Sequence, residues 1–132
     1  MTMSHFNECT KIRRRVSDIL LVIGIMPSLE GYKFIVKGVS DCIENPDLLR
    51  HMTRILYPKI AAEFGRTPTQ VERCIRHAIE LAWNRGKFIK LNDIFRVNVI
   101  DQKEKYRPQN GEFLALLADR VLLEFAEQKM CI

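Results

Sequence analysis

The stretch LYPKIAAEFGRTPTQVERCIRHAIELAWNRG (Leu56–Gly86) decides the fold. At its centre, Thr67-Pro68-Thr69-Gln70 reads as a helix start. Thr67 can cap the N-terminus, Pro68 has its φ preset for the first helical position, and Gln70 sits three residues on to complete a capping box. The helix opened there should run to about Asn84, with Gly86 past its end. Its inward stripe is Val71, Cys74, Ile75, Ala78, Ile79 and Ala82; the opposite face is Thr69, Gln70, Arg73, Arg76, His77, Glu80 and Asn84. Upstream, Tyr57-Pro58 starts a short helix that ends at Phe64 before Gly65. Two short helices crossing closely need a small residue in the first, here Ala61, with Ile60 and Phe64 behind it. They also need a turn residue that tolerates a left-handed backbone, Gly65, and apolar residues locking the second helix down, Val71 with Cys74 or Ile75. These demands are met at helix-turn-helix spacing. An ordinary helix hairpin meets the same ones, so the outward face has to discriminate.

On that face Arg73 and Arg76 lie three apart in the N-terminal half, where a helix set into the major groove touches base edges. Arginine can donate two parallel hydrogen bonds to guanine O6 and N7, and Gln70 can pair similarly with adenine N6 and N7. Glu72 can accept from cytosine N4 or buttress a neighbouring arginine. Arg66, Thr67, Thr69, His77 and Lys87 are candidates for phosphate or flanking contacts, since a helix N-terminus also favours a phosphate.

Further out, apolar residues recurring at threes and fours predict a helix from about Asn7 to Ile23, stopped by Gly24 and Pro27, and a second from Glu30 to Ile43. Asn45-Pro46 opens a third, with Leu48, Leu49, Met52, Ile55 and Leu56 inward. After an apolar patch, Leu91 to Phe95, the polar stretch Arg96 to Gly111 reads as a long loop. A final amphipathic helix, Glu112 to Gln128, places Phe113, Leu116, Leu117, Val121 and Leu122 inward. The expected fold is all-α, six or seven helices around a helix-turn-helix, in one domain spanning 16–132, with 1–15 as a tail and the start of the first helix.

The chain's 132 residues, 47% of them apolar, suffice for one core and exclude large two-domain cofactor enzymes. Charge becomes informative once located. Nine basic and three acidic residues fall between Arg50 and Lys90, a local net of +6, while the remainder holds 12 basic and 13 acidic residues. The whole positive excess thus sits in one stretch, as expected of a patch that meets a polyanion, although a solvated basic face would look the same. Cys9, Cys42, Cys74 and Cys131 form no CxxC pair and have no histidines at zinc spacing, which suggests buried thiols in a reducing cytosol and no metal or other cofactor. Arg13-Arg14-Arg15 ahead of the run Ile19 to Met26 imitates an export signal. The run is too short and lacks a cleavage pattern, and it cannot span a bilayer, so no membrane partner is expected.

The run VERCIRHAIELAWNRG (Val71–Gly86), preceded by LYPKIAAEF (Leu56–Phe64), closely resembles the C-terminal DNA-binding effector domain of the stage-zero sporulation protein A family of response regulators. Weaker matches extend to IGIMPSLEGYKF (Ile23–Phe34) and EFLALLADRVLLE (Glu112–Glu124), so the resemblance covers about residues 16 to 125. It implies an all-helical domain that binds double-stranded DNA in the major groove, commonly as a head-to-tail pair on tandem TGTCGAA-like sites. RNA polymerase is a further candidate partner and the nucleoid the expected location. The family's base-contacting positions carry over onto Glu72, Arg73 and Arg76, with His77 beside them. The chain departs from the pattern at Gln70, where the family usually has Arg, and in a longer loop between Phe95 and Glu112. It also lacks room for a receiver, which needs roughly 120 residues of alternating strands and helices. The chain is then either an excised effector or, as Met1 and the unmatched tail favour, a free-standing one.

Catalysis is not expected. Cys74 and His77 sit three apart, but on the inward and outward stripes respectively, with no third group to orient the imidazole. Trp83 reads as core at the helix end. Two functions remain, a sequence-specific transcription regulator and a non-catalytic interaction module that pairs with and antagonises a full-length regulator. Two outward arginines favour the first. The run Lys11, Arg13, Arg14, Arg15 suits either a phosphate-contacting arm or a solvated helix face.

Overall fold

The computed structural model describes residues 3–101 and 106–130, and among these it is built from helices and connections without a strand. Six α-helices follow in order: α1 (Met3–Val22), α2 (Glu30–Glu44), α3 (Tyr57–Phe64), α4 (Pro68–Asn84), α5 (Lys90–Phe95) and α6 (Asn110–Met130). The all-α expectation holds. α2 is the central element, packing against α1, α3, α4 and α6. The core it organises contains Phe34, Ile35 and Val39 from α2, Ile19, Leu20 and Ile23 from α1 and the turn after it, Val71, Ile75 and Ile79 from α4, and Phe113, Leu117 and Val121 from α6.

The single helix expected over Pro46 to Leu56 is broken. A 3-10 turn (Pro46–Arg50) and a π turn (Met52–Leu56) meet at His51, which leaves helical geometry at φ −131°, ψ 44°. Pro58 shapes the second of these turns. Proline has no N–H and its ring clashes with the carbonyl four residues back, so a regular α-helix cannot run through it. The chain widens instead, and the N–H groups of Leu56 and Tyr57 bond five residues back, to His51 and Met52. Leu48 and Leu56 are buried as expected, whereas Ile55 is turned outward and exposed.

Other departures are local. α1 begins at Met3 rather than near Asn7, and α6 begins at Asn110. Leu122 is exposed, and Leu114 and Ala118 fill the core in its stead. The patch Leu91 to Phe95 is a short helix, α5, followed by non-helical chain over the described residues 96–101 and 106–109; the rest of the loop read from the sequence, 102–105, lies outside the described residues. Asn92 organises that loop. Its Oδ1 accepts from the N–H groups of Val99 and Ile100, and its Nδ2 donates to Ile100 O and Asn98 Oδ1. Cys42 is buried and Cys74 only partly so; Cys131 lies outside the described residues. Trp83 packs edge-on against Phe88, which in turn meets Phe113 at 5.3 Å between ring centroids.

Candidate nucleic-acid interface

The pair α3 and α4 forms because each end obeys a local rule. α3 stops at Gly65, whose φ of 66° and ψ of 41° are left-handed, a conformation free of penalty only without a Cβ. Two residues later the capping box closes: Gln70 N donates to Thr67 Oγ1 at 3.1 Å, and Thr67 N donates to Gln70 Oε1 at 2.9 Å. Ala61 is buried at the crossing, with Ile60, Val71 and Ile75 around it. One feature that fixes α4 left no signal in the motif itself. Gly31, in the first turn of α2, lies so close to α4 that a Cβ would stand 2.3 Å from Cys74 O.

α4 thereby stands as a ridge between two grooves. One is bordered by Arg73, Cys74, His77 and Ala78 on α4 and by Ser28 to Gly31 across from them. The other is bordered by Glu72, Arg76 and Ile79 on α4 and by the loop Arg107 to Asn110. Arg73 and His77 are exposed on the first side. On the second, Arg76 Nε donates to Glu72 Oε1 at 3.0 Å, with Nη2 3.5 Å from Oε2, so Glu72 does buttress the arginine one turn on. Arg107 Nη1 meets Glu80 Oε1 at 3.2 Å. Asn110 is buried, its Nδ2 donating to Glu72 O at 3.0 Å and to Tyr57 Oη at 3.1 Å, so that the start of α6 is tied to both α3 and α4. Burial raises the Tyr57 phenol, and the Asn110 bond pulls it the other way.

The candidate residues fall into two sets. Gln70, Glu72, Arg73, Arg76, Thr67, Thr69 and His77 share the first turns of α4. Gln70 is already committed in part, since its Oε1 serves the cap. Arg66 is near them but paired, its Nη1 and Nη2 lying 2.7 and 2.9 Å from the Glu30 carboxylate. Lys87 is apart, beyond the far end of a 17-residue helix about 25 Å long, with its side chain against Gly24. In the basic N-terminal run, Arg15 is engaged by Glu124 at 2.8 and 3.0 Å, which removes it from any free arm. Sequence reasoning missed Asn110 and Arg107, because their partners lie 38 and 27 residues away in the chain.

Cys74 corrects one expectation. It is not fully inward and borders the same groove as His77. Burial, and then Glu30, raises its thiol above the usual range, which disfavours the thiolate a nucleophile requires. Among the described residues no group of His, Cys, Asp or Glu is placed to hold a metal ion, and no helix is long and apolar enough to cross a membrane.

A capped helix with two outward arginines, locked by a left-handed glycine turn onto a short supporting helix, has helix-turn-helix geometry. The model of the family described as Sporulation initiation factor Spo0A C terminal matches residues 16–121. The chain belongs to that family. Its fold is therefore that of the Spo0A C-terminal domain, a DNA-binding effector of the sporulation response-regulator type. The matched span contains all of α2 to α5, both grooves and most of α6.

Proposed function

We propose that the chain is a sequence-specific, double-stranded DNA-binding regulator of transcription whose domain spans 16–132, with 1–15 as its leading segment, and which sets α4 into the major groove. Gln70, Glu72, Arg73 and Arg76 meet base edges; Arg66, Thr67, Thr69 and His77 meet the backbone beside them, and Lys87 a flanking phosphate. The observation that carries this reading is the pairing of an exposed Arg73 with an Arg76 held out from the same helix half by Glu72. A guanidinium already oriented loses less freedom on meeting guanine O6 and N7 than a mobile one. The targets are TGTCGAA-like sites in tandem, occupied head to tail. Support for such assembly comes from α6, which leaves Leu122 and Leu123 exposed, and from the acidic balance of 112–132 opposite the basic motif region. RNA polymerase is the partner that a regulator so placed would address, and the nucleoid in the cytoplasm its place of action.

The test is a titration of duplexes carrying one TGTCGAA box, two boxes in tandem, or a scrambled sequence, over a range of salt. Tighter binding to the boxes, cooperative on two, is expected; equal affinity for boxed and scrambled duplexes rejects the reading. The second reading, an antagonist that pairs with a full-length regulator, also draws on exposed Leu122 and Leu123. It requires that the chain bind neither duplex appreciably.

A further inference from the structure

We infer that the loop 106–109 is a second DNA-contacting element, in which Arg107 holds a phosphate on the strand beside Glu72 and Arg76; this rests on α4 lying in the major groove. The major groove is about 12 Å wide and a helix with its side chains about 10–12 Å across, so α4 fills it. Whatever borders α4 must then stand over the phosphate walls. On one side that border is the turn before α2; on the other it is the loop carrying Arg107, Pro108 and Gln109.

The loop is fixed to α4 before any DNA arrives. Asn110 anchors it to Glu72 O, Arg107 to Glu80, and Gln109 N and Tyr106 Oη both donate to Glu112 Oε1, at 3.2 and 2.6 Å. Glu80 lies one turn beyond Arg76 on the same flank, so Arg107 is held level with the C-terminal half of α4. Its pair with Glu80 is half-exposed, Nη1 lying 3.2 Å from Oε1, and a guanidinium with five donors keeps some of them for a phosphate oxygen. Gln109 is exposed in the same loop and extends the polar edge.

Phosphate contacts carry no base information but release counterions. Removing one should make the plot of log affinity against log salt shallower by about 0.9, so that raising salt from 50 to 200 mM costs the variant about 3.5-fold less affinity than the parent. Arg107→Ala is therefore expected to weaken boxed and scrambled duplexes by the same factor, with a shallower salt slope, and Arg107→Lys to restore the slope. Arg107→Gln removes the charge while keeping a polar side chain in the loop, and should show the shallower slope as well. An unchanged slope in Arg107→Ala, a changed boxed-to-scrambled ratio, or a shallower slope in the Ala but not the Gln variant each overturns the inference, the last by reducing Arg107 to a loop anchor. Arg73→Ala runs alongside. If it too leaves the boxed-to-scrambled ratio untouched, the placement of α4 has failed and not merely that of the loop.

Discussion

Gly31→Ala probes the contact that sets α4 in place. The added Cβ would stand 2.3 Å from Cys74 O, 2.9 Å from Cys74 C and 3.0 Å from Ala78 Cβ, where ordinary contacts begin at 3.4 Å. The obstruction is main chain in mid-helix and cannot swing aside, so α2 and α4 must part by about 1 Å in an interior packed like an organic crystal. Overpacking costs typically 1–3 kcal/mol and occasionally more. Parting the helices also loosens the contacts of Phe34 and Ile35 with the rest of the core, adding to that cost. Replacing a helical glycine by alanine returns about 1 kcal/mol. Because the obstruction is main chain, the gross cost falls at the top of that range or just beyond, about 3–4 kcal/mol, which leaves a net destabilisation of about 2–3 kcal/mol. With an unfolding entropy of about 0.28 kcal/mol/K for 132 residues, the melting temperature should fall by about 7–11 °C. Gly38→Ala is the internal control, because its Cβ would meet only side-chain ends, Leu114 Cδ1 at 3.4 Å and Ile60 Cδ1 at 3.5 Å. It should be neutral or stabilising by up to about 1 kcal/mol. Calorimetry and circular dichroism of both variants give the answer. A Gly31→Ala protein as stable as the parent, or a Gly38→Ala protein equally damaged, refutes the reasoning from the close approach.

Arg73→Ala and Arg76→Ala should each lose about 1–3 kcal/mol on boxed duplex and relax preference at one position, measured by titrating single-base variants of the box; unaltered affinity in both removes α4 from the groove. Gln70→Arg should steepen the salt dependence of DNA binding by adding a cation, while costing about 0.5–1.5 kcal/mol of folding stability through the lost bond to Thr67 N; a shift in salt slope without loss of stability contradicts the capping role. Asn110→Ala leaves Tyr57 Oη without its partner and removes the second hydrogen bond to Glu72 O, which keeps its helical one, and should lower the urea midpoint by the equivalent of about 1–3 kcal/mol. Since the Asn110 bond lowers the Tyr57 phenol pKa, ultraviolet titration of the variant should show that phenol ionising at higher pH, and a downward shift would contradict the assigned bond.

What the sequence disclosed and what it concealed divide by the range of the interactions. The capping box at Thr67 and Gln70, the left-handed Gly65 and the Glu72–Arg76 pair are settled within four residues, so spacing alone exposes them. The π turn over Met52–Leu56 also has a local cause, but it acts backwards from Pro58, and a helical pattern read forwards from Pro46 passes over it. Leu122 satisfies the periodicity and still faces out, because α6 has neighbours on only part of its circumference; period locates a stripe but not what covers it. Asn92, Asn110 and Arg107 look like ordinary loop or helix-start residues. They become structural only when the chain returns to α4 or folds back on itself, and no local pattern records that return.

Glu72 shows why the reader and its scaffold are not separable. Its carboxylate orients Arg76, its main-chain carbonyl receives Asn110, and both lie on the flank that faces the loop carrying Arg107. A substitution at Glu72 therefore frees a guanidinium as well as deleting the acceptor proposed for a base, and its effect on DNA binding should not add to that of Arg76. On the flank with Arg73, Glu30, the carboxylate that borders the same groove, is taken up by Arg66. Under the proposed placement of α4, Arg76 would enter the groove pre-oriented and Arg73 would adapt to it, so a changed operator should be accommodated first at the position facing Arg73.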